Sequence, residues 1–207
     1  DNGSGSTPAA ANAARPAKVA RLEALLAALG RVGVAFSGGV DSAYLLAVAV
    51  SVLGPEKATA FIAVSPSLPG DELAAAHATA ASVGAPLLEV TTREMGDPRY
   101  RANDPRRCYY CKSHLYAAVI AAAREVGVDA MLDGNNRDDL GDYRPGLEAA
   151  RENAVRSPLA EAGLTKAEIR AEARRLGLAV WDKPAMPCLA SRIPYDSPVT
   201  ESKLAQV

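Results

Sequence analysis

Short apolar runs alternate with longer amphipathic stretches through most of this chain. Residues 32–36, 58–64, 86–91 and 130–132 have the length and character of strands, and 178–181 reads as a fifth. Residues 17–29, 42–53, 71–83, 112–126 and 166–176 carry the helical pattern between them. Strands interleaved with helices predict right-handed βαβ crossovers. The expected fold is therefore α/β, a Rossmann-like domain with a parallel central sheet flanked by helices. Ligands of such sheets gather at the carboxyl ends of the strands, where strand order reverses. Two segments break the alternation. Residues 92–107 contain Pro98 and Pro105 and have no clear period, and 133–158 reads as a long loop with at most short helical pieces. Thr165-Lys166-Ala167-Glu168 has the form of a capping box opening a helix, and is taken as structural.

Composition narrows the function classes. A chain of 207 residues with 49% hydrophobic content can bury a real core. A net charge of −1 leaves no surplus of cations to grip a long polyanion, which argues against nucleic acid as a partner. A single nucleotide needs only a few local cations, so that argument does not touch it. No apolar run approaches the ~20 residues that would span a bilayer. Residues 1–16 are small, polar and alanine-rich, without the pattern of a secretory signal, and read as disordered. Three cysteines, an odd and sparse count, favour a reducing compartment and a cytoplasmic location. The sequence stops in what reads as the opening of a helix. Residues 17–196 are accordingly expected to form one domain, with 197–207 the start of a truncated or disordered C-terminal domain.

The most specific signal follows the first strand. Ser37-Gly38-Gly39-Val40-Asp41-Ser42 joins an apolar run to a helix. Paired glycines let the backbone turn sharply, and the first helical turn offers unpaired N–H groups to an anion. Two serine hydroxyls add donors, and Asp41 can hold magnesium on a bound phosphate chain. The lysine-bearing G-x-x-x-x-G-K-[ST] spacing is absent. This S-G-G-x-D-S run resembles the PP-loop of the ATP pyrophosphatases. That resemblance implies ATP as cofactor with magnesium, cleavage between its α and β phosphates, and an adenylated substrate. It implies ATP contacts from Ser37, Gly38, Gly39, Val40, Asp41 and Ser42.

Cys108-Tyr109-Tyr110-Cys111 places two thiols near enough to share a metal centre, with Cys188 far downstream. Taken alone, the spacing fits a three-cysteine 4Fe–4S cluster, a zinc site completed by His114, a redox pair, or buried thiols. The surrounding residues carry more. Asn103 to Lys112, then Asp133 to Asp139 with Asp142 to Gly146, then Pro184 to Arg192, resemble the successive signatures of the LarE family. These are the ATP-dependent sulfurtransferases of nickel-pincer nucleotide synthesis, the cofactor of lactate racemase.

The resemblance implies adenylation of pyridinium-3,5-biscarboxylic acid mononucleotide by MgATP, followed by conversion to a thiocarboxylate. It makes Cys188 the sulfur-bearing position and, with Cys108 and Cys111 present, places the chain in the branch whose cysteines hold a 4Fe–4S cluster. In the other branch the cysteine at this position surrenders its own sulfur. A homo-oligomer is also implied. Lys112, Arg144, Ser191 and Arg192 are the candidate substrate contacts, and Asp138, Asp139 and Asp142 can bind magnesium or a basic group. The competing readings are tRNA thiolation, a nucleotide-binding protein with structural zinc at Cys108, Cys111 and His114, and amide formation. His77 is expected to be inert, and Trp181 to fill core or pocket wall.

Overall fold

A computed structural model describes residues 16–141 and 145–207. Four strands form the sheet: β1 (Val32–Ala35), β2 (Ala58–Val64), β3 (Leu87–Thr91) and β4 (Ala130–Asp133). The described helices are α1 (Ala17–Ala27), α2 (Val40–Leu53), α3 (Gly70–Ser82), α4 (Pro98–Arg101), α5 (Arg107–Glu125), α6 (Pro145–Glu152), α7 (Pro158–Glu161), α8 (Lys166–Arg175) and α9 (Glu201–Leu204). The segment expected to be disordered lies outside the described residues apart from Pro16, and so do Asp142 and Arg144.

All pairings are parallel and the strand order is β3-β2-β1-β4. The chain moves outward from β1 through β2 to β3, then returns past them to place β4 on the other side of β1. Strand order therefore reverses between β1 and β4, which is where this architecture opens a binding crevice.

Alternate residues of each strand face opposite layers. Val32, Val34, Ala60, Ile62 and Leu132 pack with α1, α2 and α8 in the larger core. Phe61 and Met131 face the other way and pack with Tyr116, Val119 and Ala123 of α5 and with Ala149 and Ala150 of α6. A third, smaller cluster joins Tyr100 of α4 to Ala190, Ile193, Val199 and Leu204, so the last residues pack onto the start of α5.

Two expectations need correction. Residues 178–181 form no strand. They follow Gly177 (φ 71°) and curl into turns, with Trp181 N–H donating to Leu178 O and Lys183 N–H to Val180 O. Leu178 and Val180 are buried against the larger core, so their apolarity reflects packing rather than pairing. The helix expected from residue 112 begins instead at Arg107 and carries both Cys108 and Cys111. Asp104 starts it: its carboxylate accepts from Arg106 N–H at 2.8 Å and its carbonyl from Arg107 N–H.

Candidate active site

β1 delivers the glycine-rich turn to the crevice. Gly38 has φ 71°, a backbone conformation that a side chain strains, and a Cβ there would stand 3.2 Å from Ala76 of α3. The two serines fasten the turn. Ser42 Oγ lies 3.2 Å from Ser37 Oγ and donates to Gly39 O at 3.1 Å, while Ser37 N–H donates to Ser42 Oγ. Gly39 precedes α2 without a side-chain cap, so the first amides of the helix stay available to a ligand.

The end of β4 meets this turn at close range. A Cβ on Gly134 would fall 2.9 Å from Ser42 N, so only glycine fits. Beside it, Asp133 is buried and accepts from Tyr116 Oη (3.1 Å), Ser157 Oγ (2.7 Å) and both the backbone and side-chain nitrogens of Asn135. Burial pushes its carboxyl above the usual carboxylate range, opposed by the hydrogen bonds from Ser157 and Asn135. Asp133 thus ties β4, α5 and the following loop together at the crevice.

A polar cavity of about 440 Å³ opens between the two strand ends, lined by Ser37, Asp41, Ser42, Asp138, Asp139 and Lys166 among others. Lys166 is the cation that the sequence reading passed over. Its Nζ pairs with Asp41, and Asn136 Nδ2 donates to the other Asp41 oxygen at 3.5 Å. The capping box explains how Lys166 arrives there. Thr165 and Glu168 fix the start of α8, and Lys166 N–H donates to Asp138 Oδ2 at 2.8 Å. The residue after a helix cap has its direction set by that cap, which is the signal that could have found it.

A second cavity, about 280 Å³ and walled mainly by apolar side chains, adjoins the first through Ser37 and Lys112, which line both. Cys108, Cys111 and Cys188 all face it. The glycine-rich turn and the three thiols therefore converge, although Cys188 lies far along the chain from Cys108 and Cys111. All three are free, with Cys108 and Cys188 exposed. Burial of its thiol pushes Cys111 up to about 12, although the residue as a whole is half-buried.

Asn103 and Arg107 hold the two halves of this cavity together. Asn103 is fully buried at φ 59°, and its Nδ2 donates to the carbonyls of Pro194 (2.7 Å) and Ser197 (2.8 Å). Arg107 donates to Asn103 Oδ1 at 2.6 Å and to Ala190 O at 2.8 Å. Leu189 N–H donates to Ser67 O, anchoring the residue after Cys188 to the loop following β2.

Other candidates lie elsewhere. His114 Nε2 donates to Asp97 Oδ2 at 3.0 Å, and both line a separate depression with Arg99. His114 thus lies outside the cavity that Cys108 and Cys111 line. Among the described residues no three His, Cys, Asp or Glu side chains stand close enough to hold one metal ion. Ser191 Oγ donates to Cys188 O at 2.5 Å and Arg192 to Val207 O at 2.7 Å, and neither lines the two cavities. Arg144 and Asp142 lie outside the described residues. His77 pairs with Glu89 on the surface, and Trp181 packs against the larger core under the Arg174 guanidinium.

Known proteins resemble this chain in sequence and in fold. A family model described as asparagine synthase matches residues 21–180. The chain is 40% identical over 190 residues to the pyridinium-3,5-bisthiocarboxylic acid mononucleotide synthase of Lactiplantibacillus plantarum, covering 92% of this chain and 69% of that protein. It is 47% identical over 190 residues to an uncharacterized protein of Synechocystis, covering 92% and 70%. The NMN synthetase of Francisella tularensis shares the fold, with a TM-score of 0.64 at 16% identity over 81% of this chain and 74% of that one.

Proposed function

The chain belongs to the LarE family of ATP-dependent sulfurtransferases, built on the PP-loop domain, and we propose that it converts pyridinium-3,5-biscarboxylic acid mononucleotide to a thiocarboxylate. One observation carries the reading: a phosphate-binding turn and three free thiols open into adjoining cavities that share Ser37 and Lys112.

A carboxylate is a poor electrophile because its oxygen is a poor leaving group. In the first half-reaction a substrate carboxylate oxygen attacks the α phosphorus of ATP. The bond from that phosphorus to the bridging oxygen breaks, and pyrophosphate leaves. The open amides at the start of α2 and the hydroxyls of Ser37 and Ser42 hold the phosphates. Asp41 would hold the magnesium of MgATP, which would offset charge on the phosphates, and Lys166, paired with Asp41 in the same cavity, is placed to meet the pyrophosphate oxygens.

In the second half-reaction a sulfur nucleophile attacks the acyl carbon, the bond to AMP breaks, and a thiocarboxylate forms. Cys108, Cys111 and Cys188, three soft thiol donors lining one cavity, would hold a 4Fe–4S cluster. When bound, such a cluster supplies a transferable sulfide. Lys112, facing both cavities, is placed to offset the charge of the acyl-adenylate. A second reading is favoured by the exposure of Cys188: its own sulfur is transferred, and loss of the Cα proton with cleavage of the Cβ–S bond leaves dehydroalanine.

The test is anaerobic turnover with MgATP and the pyridinium mononucleotide after incubation with iron and sulfide. AMP, pyrophosphate and a thiocarboxylate are expected, with pyrophosphate release retained and sulfur transfer lost in Cys188→Ala. Intact mass of the protein after turnover separates the sulfur sources, since dehydroalanine lacks the elements of hydrogen sulfide. Pyrophosphate release without any thiolated product, in the wild type, would overturn the proposal.

A further inference from the structure

Cys188 stands at the end of an irregular strap. Residues 183–188 have no regular structure, and Pro184 to Cys188 are exposed. Ala185 lines the polar cavity, while Met186, Pro187 and Cys188 line the thiol cavity, so the strap runs across the junction of the two. Pro184 and Pro187 remove two backbone donors and bias the residues before them toward extended backbone. Among the described residues no hydrogen bond reaches the backbone of 184–187. The strap is therefore fastened at its two ends.

The downstream end is tied to the walls of the thiol cavity. Leu189 N–H donates to Ser67 O at 3.0 Å, and Arg107 donates to Ala190 O at 2.8 Å. The upstream end depends on two side chains. Arg170 of α8 donates to Trp181 O at 3.3 Å and to Lys183 O at 2.9 Å, one guanidinium spanning two carbonyls of the turn that leads into the strap. Lys183 Nζ pairs with Glu72 of α3 at 2.7 Å, with the two side chains only 20% and 16% exposed. Arg170 stands one helical turn after Lys166 on the same face of α8. One helix thus carries both the cation of the polar cavity and the clamp on the strap.

We propose that Arg170 is a positioning residue for sulfur transfer: its clamp on two carbonyls keeps the strap drawn across the junction of the cavities, so that the sulfur held at Cys188 meets the acyl-adenylate. This rests on the reaction proposed above and adds to it a residue that lines neither cavity. An acyl-adenylate has two fates. If sulfur attacks the acyl carbon, AMP leaves and a thiocarboxylate remains. If water attacks the same carbon, AMP leaves and the starting carboxylate returns, so the ATP is spent without product. A strap released at its upstream end misplaces Cys188 and admits water, and both changes favour hydrolysis. The planar guanidinium forks onto two acceptors, which a lysine ammonium in its place does less well.

The experiment follows pyrophosphate and thiocarboxylate together, in anaerobic turnover of the full chain after incubation with iron and sulfide, supplied with MgATP and the pyridinium mononucleotide. Arg170→Gln should release pyrophosphate at the wild-type rate but form about 10–100-fold less thiocarboxylate per pyrophosphate, the range for misplaced reacting groups. Arg170→Lys should recover part of that yield. Lys183→Gln, which frees the strap from α3 rather than from α8, should lower the yield by less, and it carries the test if the Arg170 variants do not fold. Hydrogen exchange of residues 181–188 should speed up in Arg170→Gln, while that of 37–42 stays as in the wild type. An unchanged yield per pyrophosphate in folded Arg170→Gln overturns the proposal. So does a fall in pyrophosphate release that matches the fall in thiocarboxylate, since that is general damage to the site. A wild type that forms no thiocarboxylate sinks the reaction reading instead; the clamp is then judged by exchange, and unchanged exchange of 181–188 overturns it.

Discussion

The two adjoining cavities are built in opposite ways. The phosphate side is made from the ends of β1 and β4 and the starts of α2 and α8, and its polar groups satisfy one another through Ser37–Ser42 and Asp41–Lys166. The thiol side joins the first turns of α5, which carry Cys108 and Cys111, to irregular chain: the segment before α5, the loop after β2 and residues 186–188. Its walls are apolar, and its shape depends on a few buried side chains reaching across to backbone carbonyls. Regular elements suffice to bind a phosphate chain, because helix starts and strand ends supply donors wherever this fold occurs. Bringing Cys188 to the wall that carries Cys108 and Cys111 needs clamps particular to this chain.

That contrast is broken most severely on the phosphate side by Asp41→Asn. The change keeps size and a polar atom but removes the charged partner of Lys166 and the carboxylate proposed to hold magnesium. Pyrophosphate release should fall by about 10²–10³, the cost of losing one preorganised electrostatic contact to the reacting groups. Thiol accessibility should not change. Wild-type pyrophosphate release from the variant, measured with saturating ATP, would remove Asp41 from the chemistry.

On the other side, Asn103→Ala should loosen the thiol cavity and spare the phosphate turn. It strips the donors from the carbonyls of Pro194 and Ser197, leaves Arg107 with Ala190 O but without the Asn103 oxygen, and puts alanine at φ 59°. Loss of a buried polar network of this kind costs about 2–3 kcal/mol. The expected readout is faster alkylation of Cys111, which burial keeps protonated and slow in the wild type, with ATP affinity unchanged. Equal alkylation of Cys111 in both proteins would show that Asn103 does not hold the cavity shut.

The same division decides what could be read from the residues alone. The phosphate turn was legible because glycine, serine and aspartate at fixed spacing after an apolar run describe one local geometry. The parallel sheet was legible for a similar reason, from apolar runs alternating with helical periods. The false fifth strand at 178–181 shows the limit: a buried apolar run with no partner strand cannot be told from core packing by pattern. The cysteine-bearing turn of α5 was missed because tyrosines and cysteines give no clear period, although Asp104-Pro105 marks a helix start. Lys166 and Asn103 act through contacts with residues far along the chain. Nothing in their immediate neighbours signals those partners, apart from the cap that aims Lys166.

The smallest effect sharpens the comparison at the α8 cap that positions Lys166. Glu168 accepts from Lys18 Nζ at 2.7 and 2.8 Å, from Thr165 N–H at 2.8 Å and from Thr165 Oγ1 at 2.8 Å. The Lys18 contact first, then those from Thr165, lower its pKa from 4.5 to about 2. A folded-state value below the unfolded one means that the unfolded chain takes up the proton first as acid is added. The stabilisation is therefore complete above pH 4.5 and drains away as the pH falls toward 2. Its size is modest, because Glu168 is 42% exposed and Lys18 36%, so solvent and salt screen the pair; about 0.5 kcal/mol is expected. Glu168→Gln keeps a capping group but not the charge. Its melting temperature should lie roughly 1–2 °C below wild type at pH 7 and low salt, and the gap should close as the pH drops through 4.5. A gap that stays constant down to pH 2.5 would mean that the cap acts through its hydrogen bonds, and that its charge contributes nothing to holding Lys166 over the phosphate turn.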